Sequence, residues 1–307
     1  MILSLDPSLP VLWRGPHALQ LGFDRPVARL EDLPPACEIL LGALRPGASL
    51  ATLLRLGREH DLGEARVREF LAAISGALRE GHPAAPAPGP TPIDPAPTTP
   101  ISITPGTPAP AWALAGGPAL PELLRATADA GLAPPILRAG EEAAPAPGIA
   151  AAVIVSGFVC APRRYAPWLG ADIPHLSLTY GDRIIRVGPF IEPGAGPCLA
   201  CLAALDTRRD PLWPTLATQV LAFSPGSAHG PHAPLARQTA AAALSARLLR
   251  GHRGLRARAL EFDDLAPLGR TVSLNVSRSC ACRAAWPEPR NRPGPGRGPR
   301  RHPARPR

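Results

Sequence analysis

The chain has no lysine: all 33 of its basic residues are arginine. That absence removes two chemistries, because neither a Schiff-base lysine nor the lysine of a phosphate-binding loop can be built here. Long apolar runs are missing too, and nothing approaches the ~20 residues needed to span a bilayer. The opening Met1-Ile2-Leu3-Ser4-Leu5-Asp6-Pro7 lacks the basic start and apolar core of a signal peptide. A cytoplasmic protein with reduced thiols and no membrane partner is therefore expected. Acids are absent from Arg290 to Arg307, a stretch that carries seven arginines. The formal charge of +9 comes mostly from this tail, since residues 1–289 hold 26 arginines against 24 acids. Such an Arg/Pro-rich extension cannot bury a core, and 288–307 reads as disordered.

Cysteine is scarce but placed in a pattern. Of six cysteines, four form two close pairs, Cys198-x-x-Cys201 and Cys280-x-Cys282, separated by 78 residues. Two thiolate pairs can close a tetrahedron around zinc, and a site with all four positions filled leaves none for water, so the zinc would be structural. A redox Cys-x-x-Cys or two coincidental pairs is the alternative. Cys37 and Cys160 sit in apolar runs and read as small buried hydrophobes.

Proline marks the organisation. Residues 81–110 contain eleven prolines, a stiff spacer between a unit over 1–80 and a domain over 111–287. In the first unit, Pro10–Arg14 and Ala18–Phe23 flank Gly15-Pro16-His17 as a hairpin, with a third short strand over 26–30. Three helices follow, over 31–45, after the capping Ser49, and over 63–80, where Val67, Phe70, Leu71, Ile74 and Leu78 repeat at helical spacing. Three strands and three helices predict a winged helix-turn-helix. DNA reading would need a basic face, but residues 1–80 hold nine arginines and ten acids. A balanced surface fits an extended peptide added to the edge of the hairpin sheet, with mere domain packing as the other option.

The second domain alternates strand and helix: a strand at Trp112–Ala115, a helix over 119–130, and buried strands at Ile136-Leu137 and 151–155. This predicts an α/β domain with a parallel sheet. The turn after the first strand keeps two glycines, but Pro118 removes an N–H where a phosphate would sit, so ATP is disfavoured on this chain. A hairpin over 173–179 and 184–187 contains His175, read as a satisfied, partly buried histidine. An Ala-rich helix over 236–250 and strands over 255–262 and 271–276 lead to Cys280.

Three stretches carry a family resemblance: Val187-Gly188-Pro189-Phe190-Ile191-Glu192-Pro193-Gly194, Pro197-Cys198-Leu199-Ala200-Cys201-Leu202 and Arg208-Arg209-Asp210-Pro211-Leu212-Trp213-Pro214. They resemble the actinobacterial leader-peptide-binding, cyclodehydratase-domain proteins of bacteriocin biosynthesis, members of the ThiF-like superfamily. Val11-Leu12-Trp13-Arg14-Gly15-Pro16 through the third helix resembles the peptide-recognition element preceding that domain. The resemblance implies a non-catalytic scaffold that binds the leader of a ribosomal precursor peptide. It would present the core to a YcaO-type cyclodehydratase, which uses ATP to form thiazoline and oxazoline rings. It places the leader against Val27, Ala28, Arg29 and Leu30 and against Arg66, Val67 and Phe70, and zinc on Cys198, Cys201, Cys280 and Cys282. A homodimer is left open. The alternatives are a ThiF-type adenylating enzyme, which the reduced glycine turn and missing lysine oppose, and a winged-helix DNA-binding regulator.

Overall fold

The computed structural model describes residues 1–81, 110–117, 119–138, 145–223, 225–278 and 280. Most of the Pro-rich spacer, Pro118, Cys282 and the Arg-rich tail lie outside these residues.

The first unit has strands β1 (Ile2–Leu5), β2 (Val11–Gly15), β3 (Ala18–Leu21) and β4 (Ala28–Leu30), followed by helix α1 (Ala36–Leu44) and the short strand β5 (Ala48–Ser49). Helices α2 (Leu50–Glu59) and α3 (Glu64–Ala73) and strand β6 (Leu78–Glu80) complete it. Ser49 caps α2 by accepting from the Thr52 N–H at 3.1 Å. Strands β2, β3 and β4 form one antiparallel sheet, and β1 runs between β5 and β6 in another. Strand alternation separates the faces of the first sheet. Leu19 and Leu21 pack on the helices beside Leu40, Leu44, Leu53, Val67 and Phe70. Leu12, fully buried, faces the other way onto Phe158, Leu216 and Val220 of the second domain.

The third helix is shorter than its periodicity predicts. It stops at Ala73, a 3-10 turn follows over Ser75–Ala77, and Leu78 enters β6 opposite Leu5. Gly76 is a poor helix former, and the pairing of β6 with β1 satisfies backbone groups of β1 that a longer helix would leave unpaired. β1 was not anticipated.

The second unit is built on a mixed sheet of seven strands: β7 (Trp112–Ala115), β8 (Ile136–Arg138), β9 (Ala151–Gly157), β10 (His175–Tyr180), β11 (Ile185–Ile191), β12 (Arg258–Asp263) and β13 (Ala266–Ser273). The order is β13-β12-β11-β10-β9-β7-β8, with β8, β7, β9 and β10 parallel and the rest antiparallel. Leu114, Val153, Val155, Leu176 and Leu178 point to one face, covered by α4 (Leu120–Asp129) and the Ala-rich α8 (Ala233–Arg250). Ala236, Ala240 and Ala241 on α8 are buried, and their small side chains let that helix lie close to the sheet. Ala113, Ala115, Ala152 and Ile154 point to the other face, against α5 (Pro162–Gly170) and α6 (Leu199–Arg209). The short helix α7 (Trp213–Gln219) follows α6 and packs on β2. The cysteine pattern predicts a helix start at Cys198 and Cys201, and α6 begins there; α5 and α7 are not predicted, because Pro162 and Pro214 in their first turns, where proline is tolerated, and Pro167 inside α5 disguise them.

Candidate functional site

Strands β8 and β9 flank β7 on opposite sides, so the chain reverses its winding beyond the ends of β7 and β9, where open α/β sheets bind ligands. Gly117 packs against β9, and a Cβ on it would lie 2.5 Å from the Val155 carbonyl oxygen. The guanidinium of Arg164, on α5, donates to the Gly116 carbonyl, and Pro225 lies against Gly157.

The thiols meet at the N-terminus of α6. Cys198 occupies the N-cap position, where the first-turn N–H groups favour negative charge. Its Sγ lies 3.9 Å from Cys201 Sγ and 3.5 Å from Cys280 Sγ. A tetrahedral zinc with Zn–S bonds of ~2.3 Å requires sulfur–sulfur edges of about 3.8 Å, so the three thiols have the right spacing to hold such an ion. The Ser277 N–H donates to Cys201 Sγ at 3.3 Å. Burial, with the neighbouring thiols, pushes the Cys198 thiol up to about 11. Cys37 is buried and Cys160 partly so, and burial raises both thiols.

His175 departs from expectation. It is fully buried, and among the described residues only Nδ1 has a partner, the Ile173 carbonyl at 2.9 Å; Nε2 has none. Burial lowers its pKa to about 4.

The peptide-site residues divide into two groups. Val27, Ala28 and Leu30 are partly buried against the helices of the first unit, and Arg29 is exposed. Val67 and Phe70 are buried in that unit's core, whereas Arg66 is exposed and paired with Glu69 at 3.2 Å. Among the described residues β4 pairs only with β3, leaving its outer edge free. The opposite edge of the sheet is closed. The Gln219 carboxamide accepts from the Trp13 N–H and donates to the Trp13 carbonyl, both at 2.8 Å, taking the place of a neighbouring strand.

Behind this sheet lies a chamber of about 330 Å³, walled by its polar face, by the loop after β9 and by α6. Its walls are charged and largely cross-linked. Glu261 accepts from Arg186 at 2.7 Å and from Arg270 at 2.6 Å. Burial opposes the charge on Glu261, but the two guanidiniums outweigh it and hold its carboxyl below the usual range. Arg14 grips Asp210 with two bonds of 2.7 and 3.0 Å, which lowers the Asp210 pKa. Asp182 accepts the backbone N–H groups of Phe23 at 2.5 Å and Asp24 at 3.0 Å. Burial, and then the facing Asp182, pushes the Asp24 carboxyl well above the ordinary range. Composition gave no signal for these contacts, although Asp210 belongs to the Arg-Asp-Pro-x-Trp-Pro stretch already singled out.

Neither a protein-family model nor a curated protein matches the chain. Solved structures do. Its structural neighbours include heterocyclases and microcin-synthesis proteins. One is a heterocyclase in complex with substrate and cofactor, 17% identical with a TM-score of 0.43, the match covering 90% of this chain and 38% of that one. The heterocyclase TruD is 17% identical at a TM-score of 0.41, over 91% of this chain and 42% of the other. A component of the E. coli microcin synthetase McbBCD complex is 14% identical at 0.40, over 92% of this chain and 100% of its own length. The chain thus spans about two fifths of the length of the two heterocyclases.

Proposed function

We propose that this protein is a zinc-stabilised, non-catalytic recognition subunit in the biosynthesis of thiazole/oxazole-modified peptides. A winged-helix unit over 1–80 binds the leader of a ribosomal precursor. A ThiF-like domain over 111–287 supports it, and a separate YcaO-type cyclodehydratase forms the rings. The observation that carries this reading is the asymmetry of the three-stranded sheet. One edge is closed by Gln219, while β4 offers free main-chain donors and acceptors to an extended peptide. A state with pro-MccB17 bound has been described for the E. coli microcin synthetase; the proposal gives the present chain a peptide-bound state as well.

Two features favour a scaffold over the alternatives. The contact of Arg164 with Gly116 and the absence of lysine argue against nucleotide chemistry at the switch point. The exposed arginines of α3 are paired along the helix, Arg66 with Glu69 and Arg68 with Glu64, which leaves little cationic surface for a phosphate backbone.

The test is fluorescence anisotropy of the full-length protein with labelled leader peptides from short Cys/Ser/Thr-rich reading frames beside its gene, and with a DNA duplex. Saturable peptide binding near ~1 μM, about −8 kcal/mol, with no duplex binding is expected. Tight duplex binding without peptide binding would return the unit to the DNA-binding class.

A further inference from the structure

The chamber behind the hairpin sheet holds an excess of positive charge that its own ion pairs do not consume. Five arginines line it, at 25, 29, 186, 209 and 270, against the carboxylates of Asp206, Asp210 and Glu261, the enclosed Asp24, and Asp263, which pairs with Arg25 and Arg270. Asp24 adds little negative charge, because burial beside Asp182 favours its protonated form.

The arginines are not equivalent. Arg186 and Arg270 are bonded to Glu261, and Arg25 to Asp263 at 2.6 Å. Among the described residues Arg29 and Arg209 have only loose contacts: Arg29 is 3.8 Å from Asp210, and Arg209 is 3.5 Å from Asp206. Asp210 is already engaged by Arg14, which bonds both of its oxygens, and by the Leu212 N–H, so much of its charge is spent before Arg29 is reached. Both side chains remain about half exposed, at 55% and 54%. Two underused guanidiniums at one cavity make a site for an anion, and a planar fork suits a carboxylate.

Position supplies the source of that carboxylate. Arg29 is the central residue of β4 and stands opposite Gln20, which also lines the chamber. A strand added to β4 would place alternate residues on the same face as Arg29, at the mouth of the chamber.

We propose that the chamber is a subsite for one acidic side chain of the docked peptide, held between Arg29 and Arg209. The proposal rests on the recognition role above and deepens it: the leader is selected for an Asp or Glu at the register position facing Arg29.

The experiment uses the full-length protein and a minimal probe, N-acetyl-glutamate N-methylamide, followed by NMR titration. N-acetyl-glutamine N-methylamide and inorganic phosphate serve as controls. The glutamate probe should bind saturably and the glutamine probe should not, with affinity falling at least about tenfold in Arg29→Gln and in Arg209→Gln, a loss on the scale of one charged hydrogen bond. Both arginines are half exposed, so the variants are expected to fold, and a thermal melt checks this. Equal binding of the two probes, unchanged affinity in both variants, or phosphate displacing the glutamate probe at lower concentration would overturn the subsite. The leader peptides separate the two levels. If peptides bind but neither arginine variant weakens them, the subsite fails and the recognition role stands. If the glutamate probe binds but no peptide does, the recognition role fails, and the assignment of the chamber to a peptide fails with it.

Discussion

His175 and Gly181 show how single residues bear on stability. His175 is neutral in the fold, with a pKa lowered to about 4 from 6.5 by burial. Because the unfolded chain takes up a proton first, stability is fully present above pH 6.5 and falls as pH drops through the window between those values. The loss reaches about 3 kcal/mol. Urea melts at pH 7 and pH 4.5 should show this slope in the native protein and a much shallower one in His175→Gln. At Gly181 a Cβ would lie 1.5 Å from the Asp24 carboxylate oxygen. Gly181→Ala should therefore push the Asp24 and Asp182 loops apart and cost about 1–3 kcal/mol in a thermal or chemical melt. Neither effect was legible in the sequence. An isolated histidine in an apolar strand shows its burial only once both neighbouring strands are known, and the contact of Gly181 with Asp24 joins positions far apart in the chain.

At the scale of elements, much of the pattern could be read in advance because it is local. The hairpin around Gly15-Pro16-His17, the Ser49 cap and the strand at 151–155 each follow from a few adjacent residues. What failed was set by distant partners. Leu78 continues a helical period yet joins β6 because Leu5 of β1 is there to pair with it, and α5 hides behind two prolines. The cysteine spacing was legible, and the fold brings Cys198, Cys201 and Cys280 within 4.8 Å of one another. If zinc ties α6 to the segment after β13, Cys198→Ser should lower zinc content and melting temperature together. Zinc lost with no change in melting would set its structural role aside. The β4 edge makes its own prediction. N–H groups alternate inward and outward along a strand, so of Ala28→Pro and Arg29→Pro one removes a ladder donor and the other a free one. The second type of change should weaken peptide binding by about 5- to 10-fold in the anisotropy assay with little loss of stability.

At the scale of the molecule, the first unit is docked on the second through both apolar and charged contacts. Leu12 enters the pocket of Phe158, Leu216 and Val220; Gln219 holds the Trp13 backbone, and Arg14 holds Asp210. These contacts close one edge of the hairpin sheet and, among the described residues, leave the other free, which is the physical basis of the proposed recognition role. Nothing in the composition revealed this, since the docking joins residues about 200 positions apart. The central claim is that β4 is the edge to which a peptide adds. The most direct measurement is amide hydrogen exchange of the full-length protein with and without saturating leader peptide. The account predicts new protection over Ala28–Leu30 and no change at Val11–Gly15, where Gln219 already occupies the edge. Protection at β2, or none on either strand while the peptide is bound, would contradict it.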